Sequence, residues 1–72
     1  MKKIKKIKIK VNGKLKSVPG NYKISDLLND LKIPLKKVAI ELNQEIIDKK
    51  KISKTILKKD DKMEIVHFIG GG

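Results

Sequence analysis

Lys6-Ile7-Lys8-Ile9-Lys10-Val11 alternates charged and apolar residues and runs straight into Asn12-Gly13. A period of two defines a half-buried strand with one wet, positive face. Asn-Gly is the strongest short signal for a two-residue hairpin turn, because both central residues must take positive φ. The start of the chain is thereby committed to an antiparallel hairpin, and the rest must cover its apolar face. A two-residue turn pairs Val11 with Lys14, Ile9 with Lys16 and Ile7 with Val18, and leaves Leu15 outside. A three-residue turn with a bulge would instead set Leu15 opposite Val11 and push Val18 out. The shorter turn is the expected one, since lysine stems can cover apolar surface while their heads reach water.

Pro19-Gly20 ends the hairpin, and Ser25 is the expected N-cap of a helix over residues 26–32. Asp26 suits the first turn, where the helix dipole favours negative charge. Leu27, Leu28 and Leu31 form its apolar stripe and read as core, and Pro34 prevents continuation beyond Ile33. Val38, Ile40 and Leu42 face one way in a third strand, followed by an Asn43-Gln44 turn and a short fourth strand over 45–47. Asp48-Lys49-Lys50-Lys51 reads as a solvated loop. Thr55-Ile56-Leu57 is expected to form a single helical turn that plugs the open end of the core.

The chain closes with Met63-Glu64-Ile65-Val66-His67-Phe68-Ile69-Gly70-Gly71-Gly72. This is a strand leading directly into three glycines. Met63, Ile65 and His67 share one face; Glu64, Val66 and Phe68 share the other. If the first set points to the helix, Val66 and Phe68 lie on the open face of the sheet, where apolar residues beside a tail are suited to docking a partner. Glycines at a terminus tend to fray, and the plain reading is a soft end without a role. The functional reading is a thin probe: three extended residues span roughly 10 Å, enough to carry a terminal carboxylate into a slot that a side chain would block. That carboxylate is ionised at neutral pH and can attack an activated phosphate, giving an acyl-adenylate open to a second nucleophile. His67 reads as a rim or core-edge residue and not a proton carrier, because no serine, cysteine or carboxylate is spaced to partner it.

Composition removes other classes. The 72 residues make one small domain, whose stability rests on packing twelve isoleucines with leucine and valine. Without cysteine there are no disulfides, thiolate zinc sites or thiol nucleophile, and one histidine gives no metal-ligand spacing. All 19 basic residues are lysine against eight acids, a formal charge of +11 that attracts polyanions. Specific base readers use arginine forks and single-strand binders use stacked aromatics. This chain has no arginine and only Tyr22 and Phe68 as aromatics, so no specific nucleic acid is expected. The opening Met1-Lys2-Lys3-Ile4-Lys5-Lys6-Ile7 lacks the continuous apolar stretch of a targeting segment, and nothing approaches a membrane span. A cytoplasmic protein that meets no membrane is expected.

Val38-Ala39-Ile40-Glu41-Leu42-Asn43-Gln44-Glu45-Ile46-Ile47, then Thr55-Ile56-Leu57, then Glu64-Ile65-Val66-His67-Phe68-Ile69-Gly70-Gly71-Gly72 resembles the sulfur-carrier proteins of thiamine biosynthesis. The resemblance covers nearly the whole chain and implies an α+β fold, the ubiquitin-like β-grasp: a single mixed sheet of about five strands with one main helix across one face. In that family the last strand lies beside the first in the middle of the sheet. The implied organisation is a β-grasp domain over 1–69 and a flexible tail over 70–72. Two turns depart from the family pattern: Asn43-Gln44-Glu45 stands where Asn-Gly-Glu is usual, and Lys59-Asp60-Asp61 where Asp-Gly-Asp is usual. Asp60 is an acceptable occupant of left-handed geometry, and Asn43 can take the one such position in its turn.

The implied function is that of a carrier and cosubstrate, with no catalytic residue and no bound cofactor or metal. An adenylating, E1-like partner uses ATP on the Gly72 carboxylate, sulfur replaces AMP to give a thiocarboxylate, and thiazole synthase takes the sulfur. Gly70 and Gly71 give reach, and Val66 and Phe68 dock the partners. Two alternatives stand beside this: the related small subunit of molybdopterin synthase, and a basic RNA-binding β-grasp module.

Overall fold

The computed structural model describes residues 5–68. Its elements are β1 (Lys6–Val11), β2 (Lys14–Pro19), α1 (Ile24–Asp30), a 3-10 turn (Leu35–Lys37), β3 (Val38–Leu42), β4 (Glu45–Ile46), α2 (Lys49–Ile52) and β5 (Lys62–His67). The five strands form one sheet in the order β2-β1-β5-β3-β4. β1 and β5 run parallel, and every other neighbouring pair is antiparallel. The last strand therefore lies beside the first, in the middle of the sheet, as the family resemblance implies.

The opening hairpin has the expected register: Val11 opposes Lys14, Ile9 opposes Lys16 and Ile7 opposes Val18. Asn12 and Gly13 take φ of 51° and 82°, as a primed two-residue turn requires. Leu15 projects outward and keeps 69% of its surface, while Lys16 is half-buried over the inner face. After Pro19, Gly20 donates its N–H to the Lys5 carbonyl at 2.8 Å. A Cβ there would stand 2.9 Å from that same oxygen, so only glycine allows this approach.

α1 begins two residues earlier than Ser25 suggests. Its N-cap is Lys23, whose backbone N–H is accepted by Asp26 Oδ2 at 2.9 Å. The start is fixed by the neighbouring chain: Ile24 N–H donates to the Thr55 carbonyl at 3.0 Å, and Lys23 forms an isolated antiparallel bridge with Ile56. Those contacts also keep residues 55–57 extended, so the expected helical turn there is absent. The end of α1 precedes Pro34 as well. Lys32 adopts φ 57°, its N–H bonds to Asn29 O, and Ile33 N–H bonds back to Leu28 O. This is the Schellman arrangement, with a lysine where glycine is usual. Leu31 is thereby carried past the last helical residue and keeps 36% of its surface, so of the expected stripe only Leu27 and Leu28 are core.

The plug at the open end of the core is α2, not residues 55–57. Asp48 caps it by accepting from Lys50 N–H at 2.9 Å, and Ile52 is 1% exposed. The lysine run is thus a helical turn with a solvated outer surface. One cluster of Ile9, Val18, Ile24, Leu27, Leu28, Val38, Ile40, Ile52, Leu57, Met63 and Ile65 forms the core. Asp60, at φ 69°, fills the left-handed position expected of it. The turn after β3 needs more than one such residue: Asn43 and Gln44 have φ of 53° and 72°.

Candidate functional site on the outer face of the last strand

β5 is held from both flanks by asparagine side chains that also begin the two primed turns. Where β1 leaves the sheet at Val11, the Asn12 side chain continues its pairing: Oδ1 accepts from Ile65 N–H at 2.7 Å and Nδ2 donates to Ile65 O at 3.4 Å. On the β3 side, Asn43 Oδ1 accepts from Lys62 N–H at 3.0 Å, and Asn43 N–H donates to Lys62 O at 2.7 Å. Asn43 Nδ2 also donates to Oδ1 of the buried Asp61 at 3.0 Å, and Asp61 Oδ2 accepts from Lys58 N–H at 2.7 Å. The buried carboxylate is thereby hydrogen-bonded through both oxygens. Sequence reasoning assigned these asparagines to turns alone. Their side-chain roles depend on pairings 18 to 53 residues away, and no local pattern announces them.

With the strand so fixed, its two faces separate as the alternation predicts. Met63 and Ile65 are buried, and His67 lies exposed at the rim. On the outer face Val66 and Phe68 keep 48% and 47% of their surface. Val66 stands opposite Ala39 of β3, and Phe68 N–H donates to the Lys37 carbonyl at 2.9 Å, which keeps the chain in register one residue past β5. The Lys49 ammonium lies 5.5 Å from the centroid of the Phe68 ring, a cation–π distance. Lys49 is a further residue that reading the sequence assigned to solvent; Asp48 before the lysines and Ile52 after them are the signals that would have placed it. Moving along the same face from Val66, Glu64 stands directly opposite Glu41, and Gln44 and Lys62 complete a shallow depression around them.

Val66 and Phe68 lie on one face at the end of β5, the last described part of the chain. Gly70, Gly71 and Gly72 lie outside the described residues. Among the described residues no group of three or more histidine, cysteine or acidic side chains could hold a metal ion, and no helix is long and apolar enough to cross a membrane. Tyr22 donates its hydroxyl to Asp30, and that bond raises its pKa above the ordinary tyrosine value.

A mixed five-stranded sheet packed on one main helix, with its last strand central beside the first, defines a ubiquitin-like β-grasp protein. The comparisons narrow that class. The chain belongs to the ThiS family, whose model matches residues 9–72. It is 40% identical over 65 residues to the sulfur carrier protein ThiS of Bacillus subtilis, covering 89% of this chain and 98% of that one. It is 36% identical over 66 residues to a thiazole synthase of Paramagnetospirillum magneticum, covering 92% of this chain but only 20% of the relative's length. Among solved structures, the thiamine biosynthesis protein ThiS from Geobacter metallireducens superposes with a TM-score of 0.79 at 32% identity, covering 92% of this chain and all of that one.

Proposed function

We propose that this chain is a sulfur carrier for thiazole formation in thiamine biosynthesis, working in the cytoplasm as a cosubstrate and catalysing nothing itself. The reactive group is the carboxylate of Gly72 as the last residue. Its oxygen attacks the α-phosphorus of ATP on an adenylating partner, and pyrophosphate leaves. A sulfur nucleophile then displaces AMP from the acyl-adenylate, and the terminal thiocarboxylate that results passes its sulfur to thiazole synthase. Gly70 and Gly71 provide reach without side chains, and Val66 and Phe68 seat the body of the carrier on each partner.

The observation that carries this reading is the match to a protein named a sulfur carrier across 98% of that protein's length. The match of this chain to a fifth of a thiazole synthase supports thiazole synthase as the consumer, since there a segment like this one and the synthase share one polypeptide. The exposed pair at the tail root gives the docking step a physical basis.

Removal of Gly72 is the test. A chain lacking Gly72 that retains its fold, seen in an unchanged amide spectrum, should no longer support thiazole formation with the activating enzyme, ATP and a sulfur source. A basic RNA-binding module would behave otherwise: salt-sensitive binding to RNA would survive the deletion unchanged, and thiazole formation would never have depended on the chain.

A further inference from the structure

Phe68 offers a partner more than an aromatic ring. α2 is locked by the Asp48 cap at its start and by Ile52 in the core at its end, and this places Lys49 with its ammonium 5.5 Å from the ring centroid. Phe68 is itself held by the bond from its N–H to the Lys37 carbonyl. A partner that covers the exposed half of Phe68 while Lys49 keeps its place over the ring strips water from the Lys49 ammonium. An ammonium taken out of water without an opposite charge is strongly unfavourable, whereas one paired with a carboxylate adds to recognition.

We infer that Lys49 and Phe68 form a single recognition element, and that the enzyme which adenylates this carrier receives them with an apolar pocket bearing a carboxylate at the edge where Lys49 lies. The inference rests on the carrier reading above and names the chemistry of the partner at that site. The opposed glutamates Glu41 and Glu64 lie on the same face, beyond Val66. They disfavour a phosphate backbone laid along the face and fix which way round an acidic-edged pocket can dock, so the occupant is a protein surface and not a nucleic acid.

The experiment follows pyrophosphate release from ATP by the cognate adenylating enzyme with the full chain as substrate, comparing wild type with Lys49→Arg, Lys49→Met and Lys49→Glu. Lys49 is exposed, and an acid in the first turn of α2 suits the helix dipole, so loss of folding will not confound the series. The expected result is a rise in KM of about tenfold for Lys49→Glu, a smaller rise for Lys49→Met and near-recovery in Lys49→Arg, with kcat unchanged. Added salt should raise the wild-type KM more steeply than that of Lys49→Met, whose remaining lysines keep a shallower salt dependence. A KM for Lys49→Glu equal to wild type, or binding of polyuridylate that is lost with Lys49 while KM is unmoved, overturns the inference and leaves the carrier reading standing. Wild-type chain that elicits no pyrophosphate release removes the carrier reading, and this inference with it.

Discussion

On one side of β5, Met63 and Ile65 are packed into a single cluster with Leu27 and Leu28 of α1; on the other, Val66 and Phe68 keep about half of their surface in water. Both pairs are apolar and sit within six residues of each other, so composition does not separate them. Their environments do. The inner pair stabilises the fold by losing contact with water. The outer pair contributes only through the half of its surface that the fold covers, and the exposed half is what the proposed docking would use. One strand thus holds the body together with one face and leaves Val66 and Phe68 half exposed on the other, and the asparagine clamps on Ile65 and Lys62 keep the two from exchanging.

The contrast is broken most severely from the inside. Met63→Ala should destabilise the protein by roughly 2–5 kcal/mol, the range for emptying a core site, read as a shift in the urea midpoint. Phe68→Ala on the outer face, where about half of the side chain's surface is covered, should cost less than Met63→Ala, roughly 1–2 kcal/mol, while raising the KM for adenylation. Equal midpoint losses would show that the outer face is structural after all. Asn12→Ala comes next, at about 1–3 kcal/mol, because Ile65 N–H loses its acceptor in the middle of the sheet. Faster amide exchange at Ile65 than at Glu64, whose strand partner is Glu41, would confirm the cause.

A smaller effect of opposite sign is expected at the second primed turn. Gln44→Gly should stabilise the protein by about 1 kcal/mol by relieving a non-glycine residue at φ 72°. A loss of stability there would mean that the glutamine side chain makes compensating contacts. The smallest effect is at alkaline pH. Folding raises the Tyr22 pKa, chiefly through its hydrogen bond to Asp30. The stability this bond contributes is complete below the unfolded value near about 10 and is lost as pH rises through the higher folded value. Tyr22→Phe should therefore differ from wild type in its stability-versus-pH slope above about pH 10 and match that slope in the neutral range.

These particulars also show what the sequence makes legible. The Lys-Ile alternation before Asn12-Gly13 specifies strand, turn and register together, because a slip by one residue would bury lysines and expose isoleucines. The division of β5 between Met63/Ile65 and Val66/Phe68 follows from the same period of two. Legibility fails where partners distant in the chain decide the outcome. Ser25 has the chemistry of a cap, yet the backbone bonds of Lys23 and Ile24 to residues 55 and 56 start the helix earlier. Lys49-Lys50-Lys51 has the charge of a loop, yet the Asp48 cap and the burial of Ile52 wind it into a turn. Lysine at position 32 gives no local sign of a left-handed helix end, which is imposed by Ile33 returning to the core.

The most direct measurement is the intact mass of the chain after incubation with the activating enzyme, ATP and a sulfur source, followed by fragmentation. Replacement of one oxygen by one sulfur, localised to Gly72, is the expected outcome. An unchanged mass with an enzyme shown to be active on another carrier, or sulfur found on any residue other than Gly72, would contradict it.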